Sequence, residues 1–345
     1  MKKSVKVTLI VIGSILLALV ILIGAFYLIV SHDWSGEDEV PVSVAMQDNP
    51  YIAQDGRTMI SAHRSGGGIA PENTMMAFKN CVESSSFSID IFEFDLHLTK
   101  DGELILLHDE TLDRTSDSVE VFGREDVKPS EMTYEELRRL NMGENFTTDA
   151  GETPYKGLRG DDVPDDLRVV RLQDVFDYLA NYGEYSYIIE IKDSDELGRQ
   201  ACDKLYSIMK EYDMIERVVV GTFHGEVTEY MDATYPDMLR SASITEVAGF
   251  YFDALEGAER PDDAYQFEAL QIPDELFFDL STVQLVNYAH QHNIAVQYWT
   301  INDPETVREL ADIGADAIMS DDPNMAYNTL YGGGSTTTER ESSGT

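Results

Sequence analysis

Cysteine is almost absent from this chain of 345 residues. Two are present, Cys81 and Cys202, too few for a disulfide scaffold, and no Cys/His pair has zinc-finger spacing. They fall in separate helical stretches far apart in the chain, so both are expected as free thiols. Bases are scarce as well: Lys+Arg 25 against Asp+Glu 64 gives a net charge of -39. That balance excludes nucleic acid as a partner, because phosphate backbones bind basic surfaces. An anionic substrate would need a local positive device such as a bound metal or an arginine. High-salt surroundings would screen the self-repulsion of so acidic a surface.

Charge is missing altogether from Val7 to Val30, a run of 24 residues. About 20 apolar residues cross a bilayer as a helix, so this stretch is expected to span a membrane. A cleaved signal peptide has an apolar region of about 7–15 residues and a small-residue cleavage site, and neither fits. Lys2, Lys3 and Lys6 precede the run, and no Lys or Arg follows it until Arg57. The expected topology is single-pass in the cell membrane, with the N-terminus cytoplasmic and everything after residue 30 outside the cytoplasm.

The chain then divides into 1–30, N-terminus and anchor; 31–58, linker; 59–331, one large domain; and 332–345, a disordered tail (GGGSTTTERESSGT). The 273 residues of the large domain are close to the roughly 250 of an α/β barrel. Short strand-type runs alternate there with helix-period stretches, the pattern of a parallel sheet. The strand candidates are Met59–His63, Ile91–Leu96, Leu104–His108, Tyr187–Lys192, Arg217–Thr222, Leu239–Ile244, Ala269–Ile272, Ile294–Thr300 and Ala317–Ser320. Nine is one more than a (β/α)8 barrel uses. The Asp101-Gly102 turn between the second and third is too short for a helical crossover, so one run is expected as a hairpin arm or loop. Residues 110–168 have few apolar positions and read as an insertion on the barrel. Helices are expected over Asn73–Ser84, Leu172–Tyr182, Asp195–Asp213, Thr282–His292 and Pro304–Ile313.

Polar residues gather where the apolar runs end, and carboxyl ends of strands form the active-site face of such barrels. In Phe92-Glu93-Phe94-Asp95-Leu96 side chains alternate, so both carboxylates share one face. Ile189-Glu190-Ile191-Lys192 repeats the device. Three carboxylates aimed into one mouth repel one another unless a cation neutralises them, and oxygen ligation suits one Ca2+ or Mg2+ ion. His63, Arg64, His108, Thr222, Trp299, Thr300 and Asp321 end other runs.

The ordered series His63-Arg64, Pro71-Glu72-Asn73-Thr74, Glu93-x-Asp95, Leu98-Thr99-Lys100-Asp101-Gly102, His108-Asp109, Leu112-Asp113-Arg114-Thr115, Ile189-Glu190-Ile191-Lys192, Trp299-Thr300-Ile301-Asn302 and Ser320-Asp321-Asp322-Pro323 resembles the glycerophosphodiester phosphodiesterases. It runs from residue 59 to about 327. Departures are Ser65 where glycine usually follows His-Arg, Thr222-Phe223 for Ser-Phe, and Asp322 where a basic residue often precedes the proline. The resemblance implies a TIM-like barrel carrying an insertion after the second histidine, with His63 and His108 as the general acid/base pair. It also implies Glu93, Asp95 and Glu190 as ligands of a divalent cation. Arg64 and Lys192 would offer positive charge to the phosphate, and Trp299 would pack on the glycerol. His97 and His224 have no such place.

The expected activity is metal-dependent hydrolysis of sn-glycero-3-phosphodiesters to glycerol 3-phosphate and an alcohol. Lysophospholipase D or phospholipase-type action on a lipid or a glycerol-phosphate polymer is the alternative, and an apolar lip at the site would favour it. The aromatics of the insertion, Phe122, Tyr134, Phe146 and Tyr155, are too scattered to form one. A non-catalytic surface protein binding a cation or ligand would have no need of two histidines with acid/base capacity.

Overall fold

Strand runs that are apolar on both faces need a closed interior on one side and helices on the other. The computed structural model describes residues 49–53, 56–261, 264–275 and 279–332, with Val20, Ile21 and Gly24 besides. Its strands are β1 (Met59–Ala62), β2 (Ile91–Leu98), β3 (Leu104–Leu106), β4 (Ser186–Ile191), β5 (Val218–Gly221), β6 (Ala269–Ile272), β7 (Ala295–Tyr298) and β8 (Ala317–Ser320). They form one sheet in the order β5-β4-β2-β1-β8-β7-β6, parallel throughout, with β3 antiparallel to β2. The third of the nine candidate runs is therefore the hairpin arm.

The sixth run forms no ladder, yet it closes the gap between β5 and β6. Val220 N donates to Leu239 O at 2.9 Å, Ser241 N to Val220 O at 3.1 Å, and Ala242 N to Ala269 O at 2.9 Å. Residues 239–242 are thus the eighth stave of a near-closed TIM-like barrel. Arg240 fastens it: the side chain, 2% exposed, donates in paired hydrogen bonds to Asp232 and to Glu246.

Ten helices are described: α1 (Met75–Val82), α2 (Ser118–Phe122), α3 (Tyr134–Leu137), α4 (Leu172–Leu179), α5 (Asp195–Glu211), α6 (Gly225–Thr234), α7 (Ile244–Glu256), α8 (Val283–Gln291), α9 (Pro304–Asp312) and α10 (Pro323–Tyr331). α7 starts where its sequence dictates, at a capping box between Ser243 and Glu246. Alternation sorts the side chains. Phe92, Phe94, Leu96, Ile189 and Ile191 face the helices in the main core, whereas Ile91, Ile188, Val219, Ala269, Ala295 and Ala317 fill the barrel floor. Tyr51 plugs that floor from the N-terminal side, fully buried, its hydroxyl donating to Tyr187 O at 2.9 Å.

The insertion proves less polar than its sequence suggests. Leu112, Val127, Leu137, Leu140 and Met142 pack with Ile105, Leu107 and Val169 into a second small core. Cys81 and Cys202 are free and buried, and burial pushes both thiols up to about 12. No helix among the described residues is long and apolar enough to cross a membrane. The Val7–Val30 run, apart from Val20, Ile21 and Gly24, lies outside the described residues, as does the tail after Gly332.

Candidate active site

The strand ends open into one cavity of about 150 Å³. His63, Arg64, Glu93, Asp95, His108, Glu190 and Trp299 all line it, so seven of the eight side chains singled out in the sequence meet there. The eighth, Lys192, does not line the cavity but reaches residues that do: its Nζ donates to Glu190 Oε1 at 2.9 Å and lies 3.6 Å from Asp95 Oδ1. It balances the carboxylates in this arrangement.

The chain turns sharply after β1, and Arg64 and Ser65 both take positive φ (47° and 67°). Glycine is at home in such a conformation, which accounts for its usual presence after His-Arg; Ser65 is the costlier choice here. The turn aims the Arg64 amide at Glu93 Oε2 (2.7 Å) and sets His63 Nδ1 2.6 Å from Asp321 Oδ1, just beyond β8. Asp321 also accepts from Asn302 Nδ2 at 2.7 Å. Gly68 packs so closely on the Asp321 backbone that a Cβ there would lie 2.9 Å from its carbonyl oxygen.

With Nδ1 bound to a carboxylate, the Nε2 of His63 is left to the cavity, 3.9 Å from Glu93 Oε2. Burial opposes protonation of the ring, but the Asp321 hydrogen bond and the Glu93 charge prevail and hold its pKa above the ordinary imidazole value. His108 repeats the arrangement, its Nδ1 2.7 Å from Asp109 Oδ1. Asp109 accepts from Arg114, Arg114 donates to Glu72, and Glu72 accepts from Arg64. A chain of charge-assisted hydrogen bonds therefore runs from one histidine's carboxylate to the arginine beside the other. Asn73 Nδ2 donates to Asp95 Oδ2 at 2.9 Å, and Thr74 caps α1. The Pro71-Glu72-Asn73-Thr74 and Leu112-Asp113-Arg114-Thr115 segments are thus supports of the site. Asp321, Asp109, Glu72 and Arg114 were in the sequence pattern without a role: Asp321 meets His63 from 258 positions away and Arg114 meets Glu72 from 42, whereas Asp109 adjoins its partner His108 and that adjacency was the one signal the sequence offered.

The carboxylates themselves are crowded. Glu93 is 4% and Asp95 1% exposed. Burial first, then the Asp95 charge, pushes both Glu93 and Glu190 above the usual carboxylate range. Lys192 is held above its ordinary value by Asp95 and Glu190 despite burial. Among the described residues, no three His, Cys, Asp or Glu side chains are gathered closely enough to hold a metal as they stand. The donor chemistry nevertheless fits a hard cation: oxygen ligands only, on one wall, short of positive charge. His97 and His224 lie off the cavity wall, His97 paired with Asp193 at 2.7 Å and His224 with Lys192 O at 3.1 Å.

The far side of the cavity differs in character. Phe223, Ala242, Ile244, Val247 and Trp299 give it an apolar wall, contributed by the loop after β5, the eighth stave, α7 and the end of β7. No residue of 110–168 lines the cavity. The apolar lip that the insertion lacks is therefore present opposite it.

The profile of the Glycerophosphoryl diester phosphodiesterase family matches residues 63–325. A glycerophosphodiester phosphodiesterase of Caldanaerobacter subterraneus subsp. tengcongensis is 30% identical over 278 residues, 81% of this chain and 100% of the relative. In structure, the chain is similar to a glycerophosphodiester phosphodiesterase from Agrobacterium tumefaciens (TM-score 0.59, 21% identity, covering 79% of this chain and 99% of that one). It is also similar to an Oleispira antarctica phosphodiesterase in complex with sn-glycerol-3-phosphate (TM-score 0.58, 22% identity, covering 79% and 96%). A barrel of this shape, with this mouth and this match over most of its length, belongs to the glycerophosphoryl diester phosphodiesterase family and is a phosphoric diester hydrolase.

Proposed function

We propose that this enzyme hydrolyses sn-glycero-3-phosphodiesters to glycerol 3-phosphate and an alcohol, with His63 and His108 as its acid/base pair. The observation that carries the reading is the matched pair of imidazoles lining one cavity, each with Nδ1 engaged by a carboxylate, Asp321 or Asp109. Cleaving a phosphodiester near neutral pH requires removing a proton from the attacking hydroxyl and giving one to the leaving alkoxide. Nδ1 anchored by an acid leaves Nε2 for that exchange at both residues. By analogy with phospholipase chemistry, His63 takes the proton of the glycerol's neighbouring hydroxyl as it attacks phosphorus and His108 gives a proton to the departing alkoxide; water then opens the resulting cyclic phosphate to glycerol 3-phosphate with the two roles exchanged. In this reading Arg64 meets the phosphate and Trp299 packs on the glycerol, supported by both residues lining the cavity.

Glu93, Asp95 and Glu190 would hold one divalent cation, Ca2+ or Mg2+. When bound, it would neutralise a phosphoryl oxygen and relieve the repulsion among the three acids. Lys192 would then be freed toward the phosphate. The test is glycerol 3-phosphate release from glycerophosphocholine by protein stripped with EDTA, then titrated with either ion. Activity that vanishes on chelation, returns with one ion and falls at least about a hundredfold in Glu190→Gln supports the reading. Full activity in EDTA contradicts it.

We further place the catalytic barrel outside the cytoplasm, tethered to the cell membrane by the Val7–Val30 run with the N-terminus inside. The support is the uncharged length of that run and the lysines before it. Protease added to intact cells would then remove the barrel and leave the first residues protected; a barrel protected until lysis contradicts this.

A further inference from the structure

We infer that His97, Asp193 and His224 are positioning residues that hold the Lys192 ammonium against the acids of the site. The inference rests on the hydrolase reading above, in which Lys192 serves the phosphate, and it gives a role to the two histidines off the cavity wall. A lysine ammonium rides on a flexible stem, so where it settles depends on how firmly the root of that stem is held. The root of Lys192 is held from several directions. Its amide donates to Leu96 O at 3.1 Å, one residue past the end of β4. Its carbonyl accepts from His224 Nε2 at 3.1 Å. The following residue, Asp193, accepts from the Leu98 amide at 2.7 Å and, through its other oxygen, from His97 Nδ1 at 2.7 Å. These bonds tie the turn after β4 to the end of β2, the strand that carries Glu93 and Asp95. On the other side, Gly198 of α5 comes so close to the Asp193 carbonyl that a Cβ there would have no room.

Burial separates this cluster from an ordinary surface pair. His97 is 4% and Asp193 8% exposed. The His97 Nε2 is buried without a hydrogen-bond partner among the described residues, so what the ring does, it does through Nδ1. A dry, idle nitrogen costs stability, and an apolar side chain of the same shape would pack there without that cost. What the Nδ1 donor supplies is a second hydrogen bond to Asp193, at the turn where Lys192 is rooted. From that root the ammonium reaches Glu190 Oε1 at 2.9 Å and lies 3.6 Å from Asp95 Oδ1. With the root loose, the same stem would swing toward water, and a wall crowded with acids would lose that positive charge.

A double-mutant cycle on the full-length chain in lipid nanodiscs tests this, with glycerophosphocholine cleavage as one readout and amide hydrogen exchange of EDTA-stripped protein as the other. His97→Leu should lower kcat/KM by roughly 10–100-fold, the range for groups that orient a charged one. His97→Asn, whose Nδ2 takes the place of Nδ1, should keep most of the activity. In a Lys192→Met background His97→Leu should cost less than about twofold more, because nothing is left for it to hold. A merely structural ring would cost the same in both backgrounds. Exchange at the Lys192 and Leu98 amides should quicken in His97→Leu and stay near wild type in His97→Asn. Asp193→Asn, which keeps one of the two acceptors, should show the same pattern at smaller size if His97→Leu does not fold. Faster exchange at Lys192 in protein whose wild type cleaves no diester would support the clamp and refute the hydrolase reading. Cleavage with equal losses in both backgrounds, or with exchange at Lys192 unchanged, would overturn the clamp and leave the hydrolase standing.

Discussion

Asp109 shows how a single carboxylate ties the second histidine to its surroundings. Burial would raise its pKa, but the hydrogen bonds from Arg114 and His108 win and hold it at about 2. A group depressed in the folded state stabilises the fold above its unfolded pKa, about 4, and loses that contribution as pH falls toward its folded value. Urea unfolding of the wild type should therefore weaken more steeply between pH 5 and pH 2 than unfolding of Asp109→Asn. Equal slopes would mean that the bridge to Arg114 contributes nothing. At this scale the sequence was informative about which residues matter and silent about how they pair. His63 and Asp321 are 258 positions apart, and only closure of the barrel between β8 and β1 brings them to 2.6 Å. Lys192 illustrates the opposite case. Strand alternation puts it on the same face as Glu190, two residues back, and its long stem brings Nζ within 2.9 Å of that carboxylate.

Among the elements, strands were legible because each is a short apolar run stopped by polar residues, and the hairpin arm because Asp101-Gly102 leaves no room for a helix. The stave at 239–242 was half legible: its run reads as a strand, but only isolated bridges join it to β5 and β6. Ile244, the last residue of that candidate run, instead opens α7, since Ser243 and Glu246 form a capping box. The apolar wall went unseen for the same reason. It is assembled from Phe223, Ile244, Val247 and Trp299, four residues that no local periodicity connects. What holds the stave without a ladder is Arg240, between Asp232 of α6 and Glu246 of α7. Arg240→Met should cost about 2–4 kcal/mol in denaturant unfolding, somewhat below a fully buried pair because Asp232 and Glu246 keep contact with solvent. Loss of less than about 0.5 kcal/mol would assign closure to the backbone bonds alone.

For the whole molecule the governing quantity is the charge of -39. Its many acids sit on one barrel, and the repulsion among them acts over distances that about 0.1 M salt screens beyond ~10 Å and 1 M beyond ~3 Å. The midpoint of thermal unfolding should rise between 0.05 and 1 M KCl, by an amount larger than in a variant with a dozen exposed acids neutralised to Asn or Gln. A midpoint that falls with salt would show that ion pairs such as Arg114–Glu72 outweigh the repulsion. The same field repels an anionic substrate from a distance, so the proposed function requires positive charge held locally in the cavity, where Arg64 stands beside two imidazoles.

The proposed chemistry depends most directly on the two histidines. Glycerol 3-phosphate release from glycerophosphocholine, followed by phosphorus NMR with the full-length chain, should fall by roughly 10²–10⁴-fold in kcat for His63→Ala and for His108→Ala, with circular dichroism unchanged. Either variant retaining wild-type kcat in folded protein would remove that residue from the acid/base pair and contradict the mechanism.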